Sequence, residues 1–156
     1  MLTYRDLDVR LITALKVDAR RSMRQLAADL GVSTGTVSKR LDRLMEQGII
    51  TGFRPQVDYA KLGFGLLAIT RIKARGEALP RIVANLEEDA FLTHVYEITG
   101  DFDIMVIGRY RNENEMNREI KRMLSLPGIE STNTSVVLSA AKEQVDIDLP
   151  LDVTTG

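Results

Sequence analysis

The chain has 156 residues, of which 44% are apolar, so it can form one average domain or two small ones, each with a hydrophobic core. It contains no cysteine and one histidine, which excludes disulfides, Cys/His zinc sites and haem attachment through cysteine. The sequence shows no membrane-spanning run and no signal-peptide core. We therefore expect a cytoplasmic protein with no membrane partner and no metal.

The formal net charge of −1 conceals a difference between the two parts of the chain. Residues 1–64 carry 11 Lys and Arg against 7 Asp and Glu, whereas residues 65–156 carry 10 against 15. The cations therefore concentrate where nucleic acid would be contacted, and the acidic part should avoid it. Because the excess of cations is small, we expect DNA binding to depend on an assembly with several copies.

Two short helices joined by a tight turn are predicted after a first helix at about residues 6–17. Ser22 and Gln25 have the spacing of a capping box that opens the second helix. Gly31 permits the chain to reverse, and Ser33 caps the third helix. This arrangement is typical of a helix-turn-helix, which presents its last helix to the major groove of DNA.

The third helix has one apolar face and one polar face at helical periodicity. Short hydroxyl side chains near its start allow close approach to base edges, and cations further along reach phosphates. An ordinary helical hairpin with a solvated charged face is the alternative. The predicted DNA-contacting residues are Ser33 at the helix start, Thr34, Thr36 and Lys39 near the bases, and Arg40 and Arg43 at phosphates.

Residues 47–55 follow with a helix stop, a β-branched pair, a glycine turn and the cation Arg54. This pattern indicates the wing of a winged helix-turn-helix, with Arg54 as a further phosphate contact. The sequence thus predicts a DNA-binding domain at 1–54 and a linker or hinge strand at 55–64.

From residue 65 the pattern changes to alternating strands and helices. Strands are predicted at 66–74, 92–99, 104–110 and 129–139, and helices at 78–87 and 114–126. The order β-α-β-β-α-β defines a ferredoxin-like domain at 65–141, in which two helices cover one face of a sheet, and the fold class is α+β. A tail at 142–156 follows, and its alternating segment 143–149 is compatible with an added edge strand.

The predicted strands are apolar on both faces. In the first strand one face carries Leu66, Ala68 and Ile72 and the other carries Leu67 and Ile69. In the third strand Met105 and Ile107 alternate with Ile104 and Val106 in the same way. Since two helices cover only one face, the other face needs a second cover, and another copy of the chain is the simplest one. A homodimer formed by the second domain is therefore expected.

Taken together, the motifs resemble the Lrp/AsnC family, the feast/famine transcriptional regulators of bacteria and archaea. The resemblance rests on the order and spacing of short motifs along nearly the whole chain. In the first domain these include Asp18-Ala19-Arg20, Gly31-Val32-Ser33 and Gly48-Ile49-Ile50, and in the second Val95-Tyr96, Thr99-Gly100-Asp101-Phe102-Asp103 and Pro127-Gly128-Ile129.

The resemblance implies a winged helix followed by a ferredoxin-like effector and oligomerisation domain, the RAM domain. Members form dimers that often assemble into octamers, and many bind an amino acid between the C-terminal domains of neighbouring dimers. By this resemblance the effector cleft includes the turn Gly100, Asp101, Phe102 and Asp103, with Thr132 and Thr134 nearby.

Plainer interpretations of these residues stay open. Aspartates in a strand-to-strand turn commonly cap backbone N–H groups, with Gly100 supplying a positive φ. Thr132 and Thr134 are explained by β-propensity alone. A hydrolytic or metal-binding carboxylate pair is disfavoured, because no other acid or histidine has ligand spacing around it.

The sequence therefore predicts a sequence-specific DNA-binding transcriptional regulator whose assembly and DNA binding respond to a small molecule, with an amino acid as the expected effector and no cofactor. The alternative is an architectural DNA-binding protein that needs no effector. An enzyme is not expected, because the sequence lacks a nucleophile–base pair, a phosphate-binding glycine loop and a metal-ligand cluster.

Overall fold

The computed structural model describes residues 6–143 together with Ile147 and Leu149. These residues belong to two compact units. One lies within Met1–Gln56 and also includes Ile147 and Leu149, and the other is Val57–Glu143. Residues 57–64, which the sequence assigned to a linker, thus belong to the second unit, where the Phe64 ring lies 4.8 Å from the Arg111 guanidinium carbon.

The first unit is a bundle of three helices, α1 (Asp6–Val17), α2 (Met23–Leu30) and α3 (Thr34–Glu46). Ser22 accepts a hydrogen bond from the Gln25 backbone N–H while the Gln25 side chain accepts one from the Ser22 backbone, which confirms the predicted capping box. Gly31 ends α2 in the left-handed region at φ 68°, and Ser33 caps α3. The apolar faces of the helices form one core, made of Leu11, Leu15, Leu26, Ala27, Leu30, Val37, Leu41 and Leu44.

The second unit has four strands and two helices. A 3-10 turn at Gly76–Ala78 precedes the first of these helices. The elements are β1 (Leu66–Ala74), α4 (Leu79–Glu87), β2 (Leu92–Glu97), β3 (Ile104–Tyr110), α5 (Glu113–Leu124) and β4 (Ile129–Val136). The strands form one antiparallel sheet in the order β2-β3-β1-β4, so the predicted ferredoxin-like topology is confirmed.

One face of this sheet is covered by α4 and α5. The core between sheet and helices contains Ile72, Ile104 and Val106 from the strands with Ile82, Leu86 and Met123 from the helices. We call the opposite side the outer face; its side chains are Leu67, Ile69, Arg71 and Lys73 from β1, His94 and Tyr96 from β2, Met105, Ile107 and Arg109 from β3, and Ser131, Asn133 and Ser135 from β4. As the sequence predicts, both faces carry apolar residues.

Three predicted features differ from the structure or fall outside it. The strands β2 and β4 end two and three residues earlier than predicted, at Glu97 and Val136. No strand forms within described residues 47–65, so the wing and the hinge strand are not seen as β-structure; Pro55 lacks the N–H that strand pairing needs. The predicted edge strand at 143–149 falls largely on residues that are not described. Within the described part of the chain, no helix is long and apolar enough to cross a membrane.

Candidate nucleic-acid interface and effector site

The exposed face of α3 is set by its buried face. Val37, Leu41 and Leu44 are buried in the core of the first unit, so side chains on the far side of the helix point to solvent. Lys39 and Arg43 lie there with exposed side chains, and neither pairs with an acid among the described residues. This face therefore presents two cations one helical turn apart.

The start of α3 is shaped by its cap. Ser33 Oγ accepts from the Thr36 backbone N–H at 3.1 Å and lies 2.9 Å from Thr36 Oγ1. The Thr34 side chain is exposed and does not take part in this cap. Ser33 and Thr36 consequently position the helix start, and Thr34 is the hydroxyl side chain there that is free to approach a ligand.

The C-terminal half of α3 is less suited to DNA than its start. Asp42 and Glu46 are exposed there, and carboxylates are repelled by phosphates. The N-terminal half, with Thr34, Gly35 and Lys39, carries no acid and has the positive end of the helix dipole. The geometry thus favours entry of the N-terminal half into a groove.

Arg40 occupies a different position from the other α3 cations. Its Nη1 donates to both carboxylate oxygens of Asp8 on α1, at 3.0 and 3.1 Å, and the two side chains are only 18% and 8% exposed. A guanidinium held this way ties α3 to α1 instead of reaching outward. We therefore leave Arg40 out of the interface that we propose below.

The start of α2 and the segment before it carry cations that the sequence prediction did not include. Arg20 and Arg24 are exposed beside the Ser22 cap, while Arg21 is paired with Asp29 at 2.6 Å. In helix-turn-helix proteins the helix before the recognition helix crosses the DNA backbone. The run of arginines at 20, 21 and 24 was visible in the sequence and signals this second basic patch. Arg54, in contrast, is exposed on a segment without regular secondary structure.

The turn between β2 and β3 is fastened to β1 through Asp103. Its Oδ2 accepts from the Ala74 backbone N–H at 2.9 Å, and Lys73 Nζ lies 3.4 Å from the carboxylate. The Ala74 hydrogen bond, assisted by Lys73, holds the pKa of Asp103 below its ordinary value. The Asp103 side chain thus does what the plainer interpretation expected, which is to cap backbone at a strand end.

The other residues of this turn remain available. Gly100 adopts φ 112°, which a residue with a side chain rarely does. Asp101 is exposed, and within the described residues its carboxylate has no hydrogen-bond or ion-pair partner. The Phe102 ring lies 5.1 Å from the guanidinium carbon of Arg71, on the outer face.

Thr132 and Thr134 lie on the other side of the sheet. They pair with Ile72 and Thr70, which are buried under the helices, and the Thr134 hydroxyl is 2.9 Å from that of Thr70. On the outer face, the β4 residue next to Arg71 is Asn133, whose Oδ1 accepts from Arg71 Nη2 at 2.7 Å. The structure therefore does not bring the two threonines together with Phe102, and it brings Asn133 and Arg71 there instead.

The described side chains do not form a metal site. Among the residues that the structure describes, no group of three or more His, Asp or Glu is placed to hold a metal ion. A shallow cavity of about 300 Å³ is lined by Arg75, Glu77, Arg81 and the 127–128 turn, and the Arg81 guanidinium there donates to the Pro127 carbonyl at 3.3 Å.

Comparison with known proteins matches both units to families. Residues 4–51 match the model for winged helix-turn-helix DNA-binding domains, and residues 67–147 match the Lrp/AsnC ligand binding domain. The fold and the two matches define a transcriptional regulator with a DNA-binding helix-turn-helix. The chain belongs to the Lrp/AsnC family.

Relatives of similar length support this assignment. The chain is 40% identical over 143 residues to an uncharacterized HTH-type transcriptional regulator of Pyrococcus furiosus, covering 92% of this chain and 97% of that protein. It is 30% identical to the HTH-type transcriptional regulator FL11 of Pyrococcus horikoshii, covering 92% and 95%.

Solved structures show the same fold. The structure of Escherichia coli AsnC has a TM-score of 0.89 and 27% identity, with 95% of this chain and 100% of that chain covered. A transcriptional regulator of Neisseria meningitidis in complex with L-Met has a TM-score of 0.89 and 21% identity, covering 96% and 98%.

Proposed function

We propose that this regulator binds specific DNA sequences through α3 and that a small-molecule effector, an amino acid, modulates its assembly and DNA binding. The observation that carries the DNA-binding part is the exposed face of α3. We assign Thr34 and Lys39 to base edges and Arg43 to phosphate, and the exposure of all three side chains supports this assignment. Arg20 in the segment before α2, Arg24 on α2, and Arg54 supply further phosphate contacts. Ser33 and Thr36 contribute by fixing the helix start.

The proposed working unit is a homodimer formed through the outer face. Leu67, Ile69, Met105 and Ile107 form a half-buried apolar patch there, opposite the helix-covered core. A symmetric partner would cover this patch. Two recognition helices would then reach major grooves about one DNA turn apart, roughly 34 Å. The family resemblance also implies that such dimers associate into octamers.

The proposed effector site is the turn between β2 and β3. Gly100, Asp101 and Phe102 carry the exposed part of this turn, and Asp103 fixes it to β1. The matched ligand-binding domain and the L-Met complex of the Neisseria relative support an amino acid as the ligand class. An effector shifts the equilibrium between two assemblies only if it binds one of them more tightly than the other. The competing proposal is an architectural protein that binds DNA without an effector.

The DNA-binding part is tested by reversing one charge on α3. Lys39→Glu removes a cation from the groove-facing surface and adds a repulsive carboxylate, so we expect the affinity for a specific duplex to fall about 100-fold. The measurement is fluorescence anisotropy with a labelled duplex from the DNA upstream of the protein's own gene.

Arg118→Glu is the matched control, because Arg118 is an exposed arginine on α5 with no ion pair in the described structure. This control should retain wild-type affinity, and both variants should retain the wild-type oligomeric state in sedimentation. Equal DNA affinity of Lys39→Glu and wild type would reject α3 as the recognition helix.

A further inference from the structure

Arg71 is an arginine whose position is fixed from two sides. It lies on the outer face in the second half of β1, with its guanidinium stacked on Phe102 at 5.1 Å. Its Nη2 also donates to Asn133 Oδ1 at 2.7 Å. One contact comes from the β2–β3 turn and the other from β4. The side chain is nevertheless exposed in the single chain, and its remaining N–H groups have no partner among the described residues.

The positive charge of Arg71 is not neutralised by these contacts. Phe102 and Asn133 are uncharged, and among the described residues Arg71 forms no ion pair, whereas the neighbouring cation Lys73 is paired with Asp103. A guanidinium has five N–H donors in a planar fork, and Asn133 takes one. The rest are suited to a carboxylate, which such a fork binds through two parallel hydrogen bonds.

The turn that carries Phe102 also offers the opposite charge. Asp101 precedes Phe102, is exposed, and has no partner in the described part of the chain. An unpaired carboxylate therefore lies one residue from the aromatic ring that holds an unpaired guanidinium. This pairing of charges is complementary to a zwitterion, which carries a carboxylate and an ammonium group on one carbon.

We propose that Arg71 binds the carboxylate of the effector and thereby selects free amino acids over their carboxyl-blocked forms. This inference rests on the proposed function, because it assigns a recognition role within the effector site at the β2–β3 turn. Phe102 and Asn133 act as positioning residues that hold the guanidinium in place. Because Arg71 is fixed before the ligand arrives, little side-chain entropy is lost on binding.

The test uses the full-length protein and defined ligands. The twenty L-amino acids are screened singly by thermal shift, and the one with the largest shift is titrated calorimetrically alongside its carboxamide. Wild type should prefer the acid. Arg71→Ala should weaken binding of the acid by about 10- to 100-fold, the range of a charge-assisted hydrogen-bond pair, with little effect on the carboxamide. Arg71→Lys should give an intermediate loss, and Arg118→Ala should match wild type.

Each other outcome has a defined meaning. If wild type binds an amino acid and Arg71→Ala binds it equally well, the role of Arg71 is rejected and the effector function stands. If Arg71→Ala weakens acid and carboxamide equally, or only dissociates the dimer in sedimentation, Arg71 does not recognise the carboxylate. If no amino acid binds wild type, the proposed effector function fails, and the role of Arg71 fails with it.

Discussion

The role of Arg40 that the sequence indicates differs from the role that its contacts in the structure indicate. In sequence it is one of three cations on α3 and looks like a phosphate contact. In the structure it forms a bidentate pair with Asp8, and both side chains are largely buried. The spacing within α3 gives no sign of this, because the partner lies 32 residues earlier on α1. Arg40 therefore contributes to the stability of the first unit.

Removing Arg40 should destabilise the fold. Arg40→Ala removes the guanidinium that binds the largely buried Asp8 carboxylate, so we expect the free energy of unfolding to fall by about 2 kcal/mol. Urea denaturation followed by circular dichroism measures this change. The control is Arg43→Ala on the exposed face of the same helix, which should change stability by no more than about 0.5 kcal/mol and weaken DNA binding. An Arg40→Ala protein with wild-type stability and weaker DNA binding would restore the phosphate-contact interpretation.

At the level of elements, the turn between β2 and β3 stabilises the end of β1 and is also a candidate binding site. Asp103 holds the end of β1 through the Ala74 N–H and Lys73, which leaves Gly100, Asp101 and Phe102 exposed to solvent or partly so. The interpretations that the sequence left open therefore apply to different residues of one turn. Asp103 serves the backbone, and Asp101 remains available for a ligand.

The lowered pKa of Asp103 predicts a pH dependence. Because the folded state favours the ionised carboxylate, this group stabilises the protein above the ordinary pKa of 3.8, and the contribution is lost as the pH falls through that value toward the lower folded pKa. Asp103→Asn should therefore be less stable than wild type at pH 7. The difference should shrink as the pH is lowered below about 4. Urea midpoints between pH 7 and pH 3 measure it, and a difference independent of pH would contradict this role.

The elements themselves were largely predictable because their signals are local. Ser22, Gln25 and Ser33 cap helices in the predicted way, and the predicted range of α1, residues 6–17, agrees with the structure. The face of Thr132 and Thr134 was not predictable. Ser131, Asn133 and Ser135 alternate with them, so β4 is polar on both sides, and only its register with β1 decides which side faces the helices.

The two candidate sites also differ in how far they could be predicted from the sequence. The exposed face of α3, which we propose as the recognition surface, follows from helical periodicity, which is a local property. Arg71 was missed because its significance depends on Phe102 and Asn133, which are 31 and 62 residues away in sequence. In the predicted strand, Arg71 looks like an ordinary exposed cation. Only the sheet order places it between the β2–β3 turn and β4.

For the whole molecule, the division of charge and the division of structure agree. The basic part of the chain contains the helix-turn-helix, and the acidic part contains the sheet with its apolar outer face. Each DNA-binding unit has only a small positive charge. A dimer through that face presents two such units to DNA, so we expect specific binding from the assembly and not from one chain.

The most direct test of this account is the binding of wild-type protein to a duplex from its own upstream region and to a scrambled duplex, over a series of salt concentrations. We predict tighter binding to the native duplex, two chains per site, and an affinity that falls steeply and linearly with salt on logarithmic axes. Equal affinity for both duplexes would contradict sequence-specific regulation and favour the architectural alternative. No binding to either duplex, with or without amino acids, would contradict the account as a whole.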